Sequence, residues 1–186
     1  MLGGEGSVSP ENPVWVRFAR AMAPMMALAA EGIASLAASG NGECRVLDIA
    51  AGHGLFGIAI ARRNPRARIV ALDWAPVLEV ALENARRAGV DGRYQTIAGS
   101  AFEAEFGGPY DLVLLTNFLH HFDAAACVGL LRKVRAALAP AGRVITLEFV
   151  PDPDRLRPTR YIRWRGRSSR RWFRACGSDR SLSRLR

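Results

Sequence analysis

The sequence predicts an α/β fold: a doubly wound, mostly parallel sheet with helices on both faces, preceded by a helical leader. Three observations carry this. The run Arg45-Val46-Leu47-Asp48-Ile49 reads as a strand, turns through Ala50-Ala51-Gly52-His53-Gly54, and continues into the helical pattern Ile58-Ala59-Ile60-Ala61-Arg62-Arg63. Four further β-branched, apolar runs alternate with helical patterns along the chain, the arrangement that builds a parallel sheet. The strands end in polar residues, among them Asp48, Asp73 and Asn117, so these gather at the carboxyl edge, where such sheets bind ligands at the switch point.

In chain order, residues 1–9 are rich in Gly and Ser and are expected to form a flexible start. Asn12 before Pro13 pairs an N-cap residue with proline at the first helical position, and Val14, Phe18 and Met22 follow at near-helical spacing. The leader, residues 10–40, is expected to restart or kink at Pro24, run on through Met25, Met26, Leu28 and Ile33, and stop near Gly40. On one reading it only packs on the sheet; on a sharper one, Phe18 and Met22 also wall a substrate pocket. Beyond the central turn, Pro65 breaks the helix and residues 69–73 form the second strand. Pro76 opens a helix carrying Val77, Val80, Ala81 and Ala85, with Gly89 at its C-terminal cap. Residues 93–97 form the third strand and lead into Ala98-Gly99-Ser100-Ala101-Phe102, and residues 110–115 form the fourth, leading into Thr116-Asn117-Phe118-Leu119-His120-His121-Phe122. Asp123 caps a helix expected to place Val128, Leu131, Val134 and Leu138 on one face. The turn Pro140-Ala141-Gly142 then delivers the fifth strand, residues 143–150, and completes a sheet core over residues 44–150.

Composition narrows the class. The 186 residues are 49% apolar, enough for one domain with a real core. No run approaches the roughly 20 apolar residues of a membrane span, and residues 1–6 lack a basic stretch followed by an apolar one, so a cytoplasmic protein without membrane attachment is expected. Cys44, Cys127 and Cys176 stand far apart in no metal-ligand spacing and read as reduced bystanders; no metal site is expected. The formal charge of +9 is unevenly held: residues 1–154 carry 14 basic against 16 acidic side chains, whereas residues 155–186 carry 12 Arg against Asp179 alone.

The glycine turn is the chemical centre. Glycine there lets a ligand approach the backbone and permits positive φ. Gly52-His53-Gly54-Leu55-Phe56-Gly57 also spells GxGxxG, a pattern with many chance matches that gains meaning only from its strand–turn–helix setting. The strand-end acid Asp48 with this turn, the second acid Asp73, the tract Asn117 to His121 and the Pro140-Ala141-Gly142 turn together resemble the S-adenosylmethionine-dependent methyltransferases of the Rossmann-like class. More narrowly, residues 12–26, the stretch LLTNFLHHFD and the stretch GRVITLEFV resemble the catalytic domain of small-molecule O-methyltransferases that act on phenolic, polyketide or carotenoid hydroxyls. The resemblance covers residues 10–154 and implies a sheet with its strands in the spatial order 3-2-1-4-5.

Position by position, the resemblance implies that S-adenosyl-L-methionine is held by Asp48, Ala50, Gly52 and Gly54 around its methionine part and by Asp73 at the ribose hydroxyls, since a carboxylate accepts two hydrogen bonds at once. Trp74, Ser100, Ala101, Phe102 and Asn117 complete the implied cofactor set. Ala50 stands where the family usually has a glycine, and Ser100 where many members carry an acid, leaving the adenine to backbone groups and Phe102. His120 matches the position of the family's general base, and Glu148 an acid that orients it. A histidine near pKa ~6.5 suits that task, because it can take the proton of a phenol of pKa ~10 as the methyl arrives. His121 is assigned to the substrate pocket. Capping of the strand end is the plainer alternative for both histidines, and His53 is read as backbone-facing or exposed.

Two other readings are weighed. A nicotinamide-dependent oxidoreductase would also use the glycine turn and Asp73, but it seldom ends its first strand in an acid, and nothing here resembles a Ser/Tyr/Lys hydride-transfer set. A nucleic-acid-binding protein is suggested by Arg163-Trp164-Arg165-Gly166-Arg167-Ser168-Ser169-Arg170-Arg171-Trp172, whose Arg could meet phosphates and whose Trp could stack on bases. The tail lacks an apolar period and repels itself, so residues 155–186 are expected to be disordered or an out-of-frame reading of an Arg-rich gene. The sheet is then expected to lack the antiparallel strands that close it in the family, and the catalytic domain to be truncated, without the helical domain through which the family forms homodimers.

Overall fold

The computed structural model describes residues 9–37, 42–151, 158–166 and 169–174, with side chains as far as Phe149. The expectations for residues 1–8, for the helix stop near Gly40, for Cys176 and for the chain beyond Arg174 lie outside the described residues. The elements run α1 (Pro13–Ala37), β1 (Cys44–Ile49), α2 (Leu55–Arg63), β2 (Ala67–Asp73), α3 (Ala75–Arg87), β3 (Tyr94–Ala98), β4 (Tyr110–Thr116), α4 (Ala124–Ala137), β5 (Leu138–Pro151), β6 (Pro158–Gly166) and β7 (Ser169–Arg174), with short 3-10 turns at Asp91–Arg93 and Leu119–His121. The sheet order is β3-β2-β1-β4-β5-β6-β7.

The first five strands pair in parallel and in the expected order. β1, β2 and β4 are covered on both faces, which is why they read as continuous apolar runs rather than alternating ones. Successive side chains go to opposite layers: Val46, Ile69, Leu112 and Leu114 meet α1, α2 and α3, whereas Leu47, Val70, Val113 and Leu115 meet α4.

The leader is one helix. Asn12 Oδ1 accepts from Val14 N at 2.9 Å, and Pro24 lies inside α1 without ending it. The helix continues because its Met26, Ala30, Ile33, Ala34 and Ala37 face is buried on the sheet side. Arg20 adds a two-pronged ion pair to Glu83 of α3 at 2.8 and 2.9 Å.

Three expectations are corrected. Asp123 does cap α4, its Oδ1 accepting from Ala126 N at 2.8 Å. The buried face of α4, however, is Leu130, Val134 and Ala137, with Val128 and Leu131 exposed. The Pro140-Ala141-Gly142 stretch does not precede the fifth strand but lies inside β5. Its ladder with β4 jumps from Tyr110↔Leu138 to Leu112↔Arg143, and a Cβ on Gly142 would sit 2.7 Å from the Tyr110 carbonyl oxygen. Finally, the sheet does not lack closing strands, and residues 155–186 are not wholly irregular. β6 pairs antiparallel with β5 from Val144↔Arg165 to Pro151↔Pro158, and β7 pairs antiparallel with β6. The unpaired N–H and C=O groups of β5 thereby find partners, a gain that outweighs the like charge of the arginines.

Candidate active site

At the carboxyl edge, backbone hydrogen bonds beyond the strands' ends join β1 to β2, β3 to β2 and β4 to β5. Ala51 N donates to Leu72 O (3.1 Å), Gly99 N to Asp73 O (3.0 Å) and Asn117 N to Leu147 O (2.7 Å). The turn after β1 takes left-handed backbone at Ala50 (φ 54), Gly52 (φ 56) and Gly54 (φ 75). Alanine tolerates this conformation at about 1 kcal/mol above glycine, so the replacement of the family's glycine by Ala50 is a matter of backbone strain more than of size. Gly54 is needed on a second count: a Cβ there would lie 2.5 Å from the Tyr94 hydroxyl and 2.9 Å from Ala81 Cβ. Ala50 and Gly52 form the partly exposed lip of the turn, while His53 and Gly54 are buried beneath it.

The two strand-end acids have different surroundings. Asp73 is partly exposed, and its Oδ2 accepts from Gly52 N (2.8 Å) and its Oδ1 from Trp74 N (2.7 Å). It therefore locks the end of β2 to the glycine turn and retains lone pairs for a ligand; burial pushes its pKa up, against the pull of those two N–H groups. Asp48 is fully buried. Its Oδ2 accepts from Gly57 N at 3.1 Å, a closeness only glycine permits there, since a Cβ on Gly57 would meet Asp48 Oδ2 at 3.1 Å and Ile69 Cγ2 at 2.7 Å. Loss of water drives the Asp48 carboxyl up to about 7. Through Gly57 N it holds the turn from below.

Asp48 Oδ1, the Tyr94 hydroxyl and Asn117 Oδ1 are buried without a hydrogen-bond partner among the described residues. Asn117 is itself left-handed (φ 53), and its Nδ2 donates to Met26 Sδ at 3.4 Å. This contact brings α1 to the end of β4. Sequence reasoning chose Phe18 and Met22 from the leader. Phe18 is 57% exposed and Met22 packs against the main core, whereas Met26, which it passed over, reaches the site. Trp74 packs with Trp15 and Val16 around Ala19, Val77 and Val80, so the leader also covers the start of α3.

The loop after β3 is closed by Ser100, whose Oγ accepts from Phe102 N (3.2 Å) and whose carbonyl accepts from Glu103 N and Ala104 N. Ala101 is buried and Phe102 is exposed. The Phe102 ring meets Phe122 edge-on at 4.8 Å, and Phe118 meets Phe122 at 4.9 Å, so this loop and the turn after β4 share one aromatic wall.

That turn carries the histidines. Glu148, from β5, accepts from His120 at 2.6 Å through Oε2, and from Phe118 N (3.0 Å) and Leu119 N (2.8 Å) through Oε1. A carboxylate can only accept, so His120 Nδ1 bears the hydrogen and Nε2 is left with a free lone pair. The His121 ring lies 4.0 Å from that of His120, and its pKa is lowered by burial and by its neighbour. Cys127 of α4 donates from Sγ to Leu119 O at 3.4 Å and braces the turn from behind. His53 is buried and backbone-facing: its Nδ1 accepts from Leu55 N at 3.1 Å, and burial lowers its pKa to about 4.

The edge of the sheet gathers groups able to accept hydrogen bonds and to pack against a flat ring. A carboxylate with spare lone pairs stands on one side, a turn where a Cβ would collide lies in the middle, and an aromatic wall flanks it. Among the described residues there is no group of three metal-ligating side chains, and no helix is long and apolar enough to cross a membrane.

Comparison with known proteins agrees with this geometry. A family model described as an O-methyltransferase domain matches residues 8–166. Acetylserotonin O-methyltransferase of Mus musculus is 32% identical over 121 residues, covering 63% of this chain and 31% of that protein. The crystal structure of a Nostoc punctiforme protein assigned as an O-methyltransferase is 59% identical, with a TM-score of 0.77, covering 83% of this chain and 47% of that one. An O-methyltransferase from neocarzinostatin biosynthesis, crystallised with S-adenosylmethionine and 2-hydroxy-5-methyl naphthoic acid, is 25% identical with a TM-score of 0.63, covering 72% of this chain and 40% of that one. The chain thus spans about a third to a half of the length of these relatives.

Proposed function

The chain belongs to the O-methyltransferase family, and from that premise we propose that it binds S-adenosyl-L-methionine at the carboxyl edge of the sheet and methylates a hydroxyl of a small molecule. When bound, the cofactor supplies an electrophilic methyl group on a sulfonium centre. The chain's own part is to hold, align and deprotonate. Asp73 takes the ribose hydroxyls, Ala50, Gly52 and Gly54 admit the methionine part, and Trp74, Ser100, Ala101, Phe102 and Asn117 enclose the remainder. Alignment of acceptor oxygen, methyl carbon and sulfur is the largest contribution an enzyme makes to such a displacement.

The observation that carries the reading is the set of three hydrogen bonds made by Glu148. They fix the turn, the ring orientation and the tautomer of His120 together. His120 Nε2 takes the acceptor's hydroxyl proton, and Glu148 stabilises the imidazolium that results. The acceptor pocket draws on His121 and on the leader that bears Phe18 and Met22. A catalytic unit over residues 10–154 and residence in the cytoplasm, with Cys44 and Cys127 free, belong to the same proposal. Neither hydride transfer nor nucleic-acid binding gains support from the site.

The test is methyl transfer from radiolabelled cofactor to a panel of hydroxylated aromatic, polyketide and carotenoid acceptors. Wild-type chain should label at least one of them. His120→Ala should lower that rate by about 10² to 10⁴-fold with little change in cofactor affinity, because general-base help acts in the transition state. Equal rates for wild type and His120→Ala would contradict the assignment.

A further inference from the structure

Lys133 is the only lysine in a chain with 25 arginines. It stands on α4, half-buried, yet among the described residues it forms no ion pair. Its Nζ donates instead to the carbonyls of two consecutive residues, Ala101 (3.4 Å) and Phe102 (3.1 Å), and rests 4.4 Å over the Phe106 ring. An ammonium on the face of a buried phenylalanine is held by the ring's quadrupole. From that anchorage it pulls two peptide carbonyls of the loop toward α4.

We propose that Lys133 is a positioning residue that straps the loop after β3 to α4 and so shapes the wall against which the cofactor's flat ring system is held. The inference rests on the proposed cofactor reading of the site. The geometry supports it in three steps. The loop is tied to β2 where it leaves β3, through Gly99 N on Asp73 O, and to itself through Ser100, and Lys133 supplies the side-chain hydrogen bonds from α4 to its middle. Its Phe102 ring stands edge-on to Phe122, in the turn that carries His120 and His121. The helix that supplies Lys133 also supplies Cys127, whose thiol holds Leu119 of that same turn. α4 is therefore a common brace for the loop and the catalytic turn, with Lys133 as its fastening at the loop end.

Lysine suits this position better than arginine. A compact ammonium can meet two carbonyls and a ring face at once, whereas a planar guanidinium imposes its own fork geometry. Arginine at this position should nonetheless restore part of the function, because it keeps both the charge and the donors.

The experiment is calorimetric titration of S-adenosylhomocysteine into the full chain, compared with Lys133→Met, Lys133→Arg and Asp73→Ala, and with the melting temperature of each unliganded variant. Methionine keeps the apolar stem against Phe106 but donates nothing. Lys133→Met should bind about tenfold more weakly, the loss expected when charge-assisted hydrogen bonds that order a loop are removed. Lys133→Arg should recover part of that lost affinity, and the unliganded melting temperatures should stay close to wild type. As a second measure, acylation of Lys133 in wild-type chain, followed by mass spectrometry with the terminal amine as reference, should slow about fivefold on saturation with S-adenosylhomocysteine, because the ligand suppresses opening of the loop. If Asp73→Ala weakens binding but Lys133→Met does not, or if acylation is unaffected by the ligand, the strap is wrong and the cofactor site stands. If wild-type chain does not bind S-adenosylhomocysteine at all, both fail.

Discussion

Asp48 and Asp73 look alike in the sequence, each closing an apolar strand, and yet they are opposite devices. Asp73 is at the lip of the turn with both oxygens fixed by N–H groups and lone pairs to spare; Asp48 is sealed beneath it with one oxygen on Gly57 N and the other unpartnered. Depth depends on how far α2 lies over the end of β1, and a strand-end pattern does not encode that. The same holds for His53, whose burial follows from the packing of α2 rather than from its neighbours in sequence. His120 and Glu148 are paired by the family resemblance rather than by any local pattern, and the structure brings them within 2.6 Å of each other. The difference in depth has a measurable consequence in the pH dependence of stability. Asp48, with its pKa raised from 3.8 to about 7, keeps a proton in the folded state that the unfolded chain releases, so its contribution lowers stability as pH rises from about 4 to 7. His53, lowered from 6.5 to about 4, works the other way: the unfolded chain gains a proton that the folded state refuses, and stability falls as pH drops through that window. Asp48→Asn removes only the first effect. Urea unfolding at pH 4.5 and pH 7 should show the variant gaining on wild type with rising pH, by on the order of 3 kcal/mol in all; a constant difference at both values would show that Asp48 is ionised in the fold.

Among the elements, the central strands are readable because strands buried on both faces must be apolar throughout, while their order follows from the family resemblance. Helix phase was harder. The expected face of α4 was anchored on Val128 and Leu131, but these are 48% and 41% exposed while Leu130 is 1% exposed. The phase is decided by the sheet below: Lys133 points to the loop after β3 and Cys127 to the histidine turn, and those two contacts turn Leu130, Val134 and Ala137 inward. The two leucines give a direct test. Leu130→Ala should destabilise the domain by about 2 to 4 kcal/mol through the cavity it leaves, whereas Leu131→Ala should stay within about 0.5 kcal/mol. Equal losses in thermal or urea unfolding would mean that the helix is rotated from the orientation described. Likewise Pro24 invites a break in α1, but the burial of Met26, Ala30 and Ile33 outweighs the one hydrogen bond that proline forfeits.

Across the whole molecule, the parallel five-stranded core was legible from alternation alone, whereas the hairpin of β6 and β7 was not. Counting charge over residues 155–186 argued against any order there. It gave too little weight to Tyr161, Ile162, Trp164, Trp172 and Phe173, which are strand-forming types, and to the open edge of β5, which takes a partner wherever one is tethered nearby. The core gathers the ends of β1 to β5 into one rim, and every part of the proposed chemistry depends on that rim receiving S-adenosylmethionine. The most direct measurement is therefore titration of S-adenosylhomocysteine, with a nicotinamide dinucleotide as the control, into wild-type chain and Asp73→Ala. Wild type should bind the first and not the second, and Asp73→Ala should bind more weakly by about 2 to 4 kcal/mol, since two ribose hydroxyls lose a charged acceptor. Equal affinity of the two proteins for S-adenosylhomocysteine, or binding of the dinucleotide in its place, would contradict the account.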